Sequence, residues 1–180
     1  VYEYLQRFYV QEGNKRVSVL RYLGQPTVLA KITRVVPMPS DSKAYRVYQE
    51  FMRFYRVAPV FGIVLAEEGD YARLAAFAGR DLDNPWPDDA VRDLRSAFDA
   101  FAAAFRARHG ETLGMSAGSA FLIYLKVFGY DEAVHALPAE VDARVARIWD
   151  EFVVSRDGGK VAYLEDPSGK RANIIPEIKS

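Results

Sequence analysis

The spacing of apolar positions changes several times along the chain, and each change predicts an element. In RFYVQ (7–11) aromatic and polar residues alternate with the period of two that a half-buried strand needs. Glu12-Gly13 reads as a turn. Val17, Leu20 and Leu23 then recur every third position, with Asn14 as an N-cap, Gly24 at the position after the helix and Pro26 forbidding continuation, so a helix is predicted over 15–23. TVLAKITRVVP is β-branched and partly alternating, a second strand ending at Pro37.

Helical spacing returns at 41–56, where Tyr45, Tyr48, Phe51, Met52 and Tyr55 follow an Asp/Ser cap. Steps of three and four are what a buried helix face requires, so this aromatic stripe is read as core. VFGIVLA (60–66) has the length and composition of a short apolar strand, and DYARLAAFAG (70–79) is a helix closed by Gly79. Beyond the loop DLDNPWPDD, amphipathic helices are predicted over 89–108, from Ser116 or Gly118 through AFLIYLKVFG, and over 137–154. The end, FVVSRDGGKVAYLED, reads as a hairpin turning at Asp157-Gly158-Gly159.

These elements give an α+β chain: a small mixed sheet with helices, a mainly helical subdomain, and a C-terminal β-hairpin. The change from mixed to helical patterning places a boundary near residue 80, dividing 1–80 from 81–180. The first residue is Val rather than Met, and a neighbouring domain in a longer chain is expected.

Composition narrows the chemistry. Half of the 180 residues are apolar, enough for a sizeable core, yet no run reaches the roughly 18 apolar residues of a membrane span. No cysteine is present, which removes disulfides, thiolate metal sites and cysteine nucleophiles and fits a cytoplasmic protein. His109 and His135 stand without ligand-spaced partners, so no metal site is expected. The acids at Glu67, Glu68, Asp70, Asp88 and Asp89 flank helix starts, where they favour the dipole, and SRDGGK lacks P-loop spacing.

Zero net charge conceals an asymmetry. Residues 1–60 hold ten Lys and Arg against four acids, a balance of +6, and residues 61–180 carry −6. A basic first third suits an anionic partner. Within it, EGNKR sets Lys15 and Arg16 at the start of a helix, where the partial positive charge of the N-terminus disfavours cations. A phosphate resolves the conflict: Gly13 opens the backbone, the first amides point outward, and Lys15 and Arg16 add a point charge and a bidentate fork. Gly13, Asn14, Lys15 and Arg16 form the candidate phosphate site, with Lys31, Arg34 and Arg53 as outer contacts. The plain alternative is that Glu12 neutralises the two bases and Asn14 is an ordinary cap.

The run YVQEGNKRVSVLRYLGQPTVLAKI resembles the conserved box of the ParB/sulfiredoxin-like superfamily, in which a strand enters a G-x-x-R turn, a helix follows, and an "LG…V" passage leads to the next strand. The resemblance covers residues 7–36, with the elements upstream of the box missing. It implies that Gly13 is the turn glycine, that Arg16 matches the superfamily arginine, that Lys15 falls where relatives carry a basic residue or His, and that Asn14 occupies the place of the sulfiredoxin cysteine. A thiol-free Asn14 excludes sulfiredoxin activity. The ligand implied is a nucleotide, CTP or ATP with Mg²⁺. The wider pattern, including GSAFLIYLKVFGY, resembles uncharacterised bacterial multidomain proteins.

The expected function is therefore binding of nucleotide or nucleic-acid phosphate at the GNKR turn, with hydrolysis conditional on a metal-binding acid, for which Glu12 is the candidate. The rival is a non-catalytic interaction or regulatory domain that keeps the fold without the ligand. FLIYLKVF (121–128), with one charge in eight residues, reads as a buried helix and not as a DNA-recognition helix.

Overall fold

Two short strands, β1 (Tyr2–Tyr4) and β2 (Arg7–Tyr9), open the chain and pair antiparallel across a two-residue turn at Leu5-Gln6. The computed structural model describes residues 1–25, 28–156, 163–165 and 171–173. Leu5 and Gln6 both have positive φ, 50° and 61°, the left-handed pair that tight hairpin turns demand and that Gly or Asn usually supplies. The surroundings hold Gln6 in place. Its N–H donates to Glu3 Oε1 at 2.8 Å, its side-chain Nε2 donates to the Ile63 carbonyl at 3.3 Å, and its Oε1 accepts from the Tyr71 hydroxyl at 2.9 Å. Left-handed non-glycine residues cost roughly 1–3 kcal/mol each and persist only where contacts of this kind over-determine them.

Helix α1 (Asn14–Tyr22) follows, then β3 (Thr33–Arg34), which lies parallel to β1 and completes a mixed sheet of order β2-β1-β3. The longer strand expected over TVLAKITRVVP is realised only in these two residues among those described. Helix α1 ends as predicted: Gly24 takes φ 68°, its N–H donates to the Arg21 carbonyl, and the Gln25 N–H reaches back to Leu20, closing the last turn. Its start differs. Gly13, not Asn14, holds the cap position, at φ 88°, and Asn14 is already helical with no capping bond from its side chain.

Helix α2 (Lys43–Val57) begins at Ser42, whose Oγ accepts from the Tyr45 N–H, and buries Val47, Tyr48, Phe51, Phe54 and Val57, so the aromatic stripe is core. Residues 60–66 were expected to be a strand. Phe61 and Gly62 lie in a turn, and 63–66 follow with Ile63 and Leu65 buried and Val64 and Ala66 exposed, but the segment pairs with no strand among the described residues. Side chains take the place of a ladder: the Tyr71 hydroxyl and Gln6 donate to the Ile63 carbonyl, the Leu65 N–H donates to the Tyr71 hydroxyl, and Ser116 Oγ donates to the Val64 carbonyl.

The rest is helical: α3 (Asp70–Phe77), α4 (Asp88–Ala107), α5 (Ala117–Phe128), α6 (Tyr130–His135), α7 (Pro138–Arg147) and α8 (Trp149–Arg156). The single helix expected over 137–154 is broken at Ile148, and α6 is an addition. Helix α5 buries Ala120, Phe121, Leu122, Tyr124 and Leu125 and packs on α3, α4, α6 and α8, while α7 packs on α4 and α8. At Gly118 a Cβ would run into the Val64 carbonyl, so the close approach of α5 to the 60–66 segment needs glycine there. One cluster of buried apolar side chains runs from Val47 to Phe152. Segments β4 (Tyr163–Glu165) and β5 (Arg171–Asn173) pair antiparallel. The hairpin turn expected at Asp157–Gly159 lies outside the described residues, and Phe152–Ser155, read as its first strand, are helical in α8.

Candidate phosphate-binding turn and the tyrosine-lined cleft

The start of α1 is set by Gly13 and not by an Asn14 cap. Gly13 sits in the left-handed region, and a Cβ there would meet nothing within 4 Å, so glycine is needed for its backbone angles and not for space. The Gly13 carbonyl accepts from the Val17 N–H at 3.0 Å, which begins the helix. The amides of Asn14, Lys15 and Arg16 precede the first intrahelical donor and meet no side-chain cap, and the first turn holds no acid. All four residues of the turn are exposed. Glu12 is exposed too and lies in no ion pair with Lys15 or Arg16 among the described residues, so the plain neutralisation reading finds no contact to support it.

The outer contacts are not brought to the turn as a set. Arg34 is committed inward: its Nε donates to Glu3 Oε2 at 2.6 Å, its guanidinium lies over the rings of Tyr55 and Phe61, and Glu3 is fully buried. Arg53 pairs with Asp83. Lys31 is exposed with its side chain in no ion pair among the described residues.

The charge asymmetry partly cancels in space. Lys43, Arg46 and Arg53 pair with Glu67, Glu68 and Asp83, acids from beyond residue 60, and the Arg46 hydrogen bond holds the Glu68 carboxyl below its usual range. Exposed bases without an ion pair among the described residues include Arg7, Lys15, Arg16, Arg21 and Lys31 early in the chain, where Glu12 is the one exposed acid, and Arg56, Arg80, Arg92, Arg95, Arg106, Lys126 and Arg147 further on.

A cleft of 670 Å³ opens between the β1–β2 hairpin, the first turns of α2 and the 64–67 segment. Tyr4, Arg7 and Tyr9 stand on one side, Lys43, Val47 and Tyr48 on the other. Tyr48 is buried beside Glu3, and burial, followed by that negative charge, raises its pKa. None of Gly13–Arg16 lines this cleft. Sequence reasoning passed over Tyr4, Arg7 and Tyr9; the available signal was the alternation in VYEYLQRFY, which puts Tyr2 and Tyr4 on one side of a strand.

The donors at Gly13–Arg16 fit a phosphate group. Glu12 is the one acid between residues 7 and 22, and among the described residues no cluster of three or more His, Asp or Glu is placed to hold a metal ion. Among those residues, too, no helix is long and apolar enough to cross a membrane. Compared with protein-family models, curated proteins and solved structures, the chain finds no match. The ParB/sulfiredoxin-like resemblance thus rests on its own residues, 7–36.

Proposed function

We propose that the chain binds a phosphate-bearing ligand, a nucleotide or a nucleic-acid backbone, at the turn Gly13–Arg16. The supporting observation is the exposed start of α1, where three outward amides and two cations face solvent with no acid in the first turn. A helix N-terminus that carries Lys and Arg lacks its own negative charge, and a phosphate oxygen completes it. The ParB/sulfiredoxin-like resemblance points the same way and supplies the expected ligands, CTP or ATP.

Titration calorimetry with CTP and ATP, with and without Mg²⁺, tests the assignment. Arg16→Ala is expected to weaken binding by roughly 1.5–3 kcal/mol, the scale of charge-assisted hydrogen bonds, with the thermal midpoint unchanged because Arg16 is exposed. Equal affinity of wild type and variant removes the site.

A second reading, an interaction domain without a ligand, draws on a different observation. Helix α1 buries no residue at all, and Tyr22, Leu23, Leu29 and Met38 are 91%, 62%, 101% and 85% exposed. Apolar exposure this dense is the mark of a surface that meets a partner.

A further inference from the structure

The outer face of the small sheet carries an ordered set of rings. Along β1, Tyr2 and Tyr4 alternate with Glu3, and the antiparallel register sets Tyr2 opposite Tyr9 and Tyr4 opposite Arg7. Residues opposite one another in such a pair share a face. Tyr2, Tyr4, Tyr9 and Arg7 therefore stand together, with Thr33 of β3 beside Tyr2. The other face carries Glu3, Phe8 and Arg34 and is partly packed: Glu3 is fully buried, Arg34 lies over Tyr55 and Phe61, and Phe8, half exposed, meets Phe61 at 5.2 Å. Tyr2, Tyr4 and Tyr9 remain 37%, 38% and 50% exposed, each showing much of its ring to solvent.

We propose that this tyrosine face binds single-stranded nucleic acid, its rings stacking successive bases while Arg7 on the same face holds the backbone. The inference rests on the reading of Gly13–Arg16 as a phosphate site and names the class of ligand that reaches it. Charge selects this occupant. In residues 1–38 the bases outside any described ion pair are Arg7, Lys15, Arg16, Arg21 and Lys31, while Glu3 is buried against Arg34 and Glu12 is the one exposed acid. Aromatic rings interleaved with cations suit a polyanion that also offers flat faces, and bases in a single strand can leave their own stack to reach such rings, whereas duplex bases cannot. Two of the rings, Tyr4 on the central strand and Tyr9 on the edge strand, also border the 670 Å³ cleft, which leaves room for a base to tip inward.

Fluorescence anisotropy with a labelled oligothymidine of about 12 nucleotides, against the matching duplex, tests the proposal. The single strand is expected to bind about tenfold or more tightly than the duplex at low salt. Tyr4→Ala and Tyr9→Ala should each weaken it about tenfold, Tyr4→Phe and Tyr9→Phe should restore it, and Arg7→Gln should lower the slope of log affinity against log salt by about 1. Equal affinity for duplex and single strand, or wild-type affinity in the Tyr4→Ala, Tyr9→Ala double variant, overturns the proposal. So does a failure to bind the strand accompanied by a change of sedimentation in the tyrosine variants, which would assign the face to a protein partner. The two readings fail separately: loss of ATP or CTP binding in Arg16→Ala with no effect of the tyrosines leaves the phosphate turn alone, and the reverse leaves the stacking face alone.

Discussion

Helices α1 and α5 have opposite fates. Helix α1 (NKRVSVLRY) carries valines, a leucine and a tyrosine and buries none of its residues; α5 (AGSAFLIYLKVF) buries six. Composition already separates them: three of nine residues in α1 are charged, against one of twelve in α5. Helix α5 is apolar around most of its circumference and sits among α3, α4, α6 and α8, which supply a neighbour for each face. The apolar positions of α1, Val17, Val19 and Leu20, lie between Lys15, Arg16 and Arg21, and no comparable enclosure forms around the helix among the described residues. Burial thus follows from apolar composition together with the supply of partners, and α1, which has neither, lies in the stretch 1–38 that also carries the exposed rings of Tyr2, Tyr4 and Tyr9.

The widest separation between the two regions should appear on truncating α5. Leu125 is 1% exposed within the central cluster, so Leu125→Ala is expected to cost about 2–5 kcal/mol through lost burial and a cavity, measured by denaturant unfolding. A loss below about 1 kcal/mol would mean that α5 is not enclosed as described.

What was legible in the sequence follows the same division. Helices α2 to α5 announced themselves through local signals: Ser42 and Ser116 cap their helices with side-chain oxygens, and Gly79 turns left-handed at φ 63° to end α3. The 60–66 segment has the right strand composition, yet its backbone partners are the side chains of Gln6, Tyr71 and Ser116, up to 57 residues away, which no local pattern encodes. The break at Ile148 is equally silent, since VARIWDEF continues the helical period through it. At the candidate site, the Gly13 turn was legible because a left-handed glycine before a helix is a local event. The Glu3–Arg34 ion pair was not, because it needs the parallel pairing of β1 with β3 across the whole of α1, and Arg34 was read as a ligand contact instead.

A smaller effect should appear where the two regions join. The buried Tyr71 hydroxyl lies 2.9 Å from Gln6 Oε1 and 3.0 Å from the Ile63 carbonyl and shares its one proton between them, tying the strained hairpin turn to the helical core, so Tyr71→Phe is expected to cost about 1–3 kcal/mol near neutral pH. Burial pushes the Tyr71 pKa up to about 12 from an ordinary 10. The unfolded chain therefore gives up this proton first as pH rises, and the neutral phenol's contribution is complete below pH 10 and lost between about 10 and 12. Two pKa units correspond to about 2–3 kcal/mol over that interval. Tyr130, raised to about 12 by burial and then by Asp93, adds to the same limb, so Tyr71→Phe should shallow the alkaline fall in stability without abolishing it. An unchanged alkaline limb in the variant would detach Tyr71 from it.

The smallest effect is expected in α1 itself. Leu23, at the C-terminal cap of α1, is 62% exposed and Val19 is 55% exposed, so truncating either removes little buried surface and leaves no cavity. Val19→Ala also gains helix propensity, since Ala lacks the branched side chain that crowds the preceding turn. Both variants should therefore unfold within about 0.5 kcal/mol of wild type. If α1 were packed against the remainder of the chain as α5 is, Leu23→Ala would instead cost about 2 kcal/mol or more, and the contrast between the two helices would collapse. A measurement on the free chain that shows near-neutral substitutions here, repeated in the presence of a single-stranded oligonucleotide, sharpens the contrast further. Stability gained on binding depends on affinity for the native state alone, so a Leu23 that lies outside the proposed ring face should leave the ligand-induced rise in thermal midpoint as it is in wild type, while Tyr4→Ala lowers that rise.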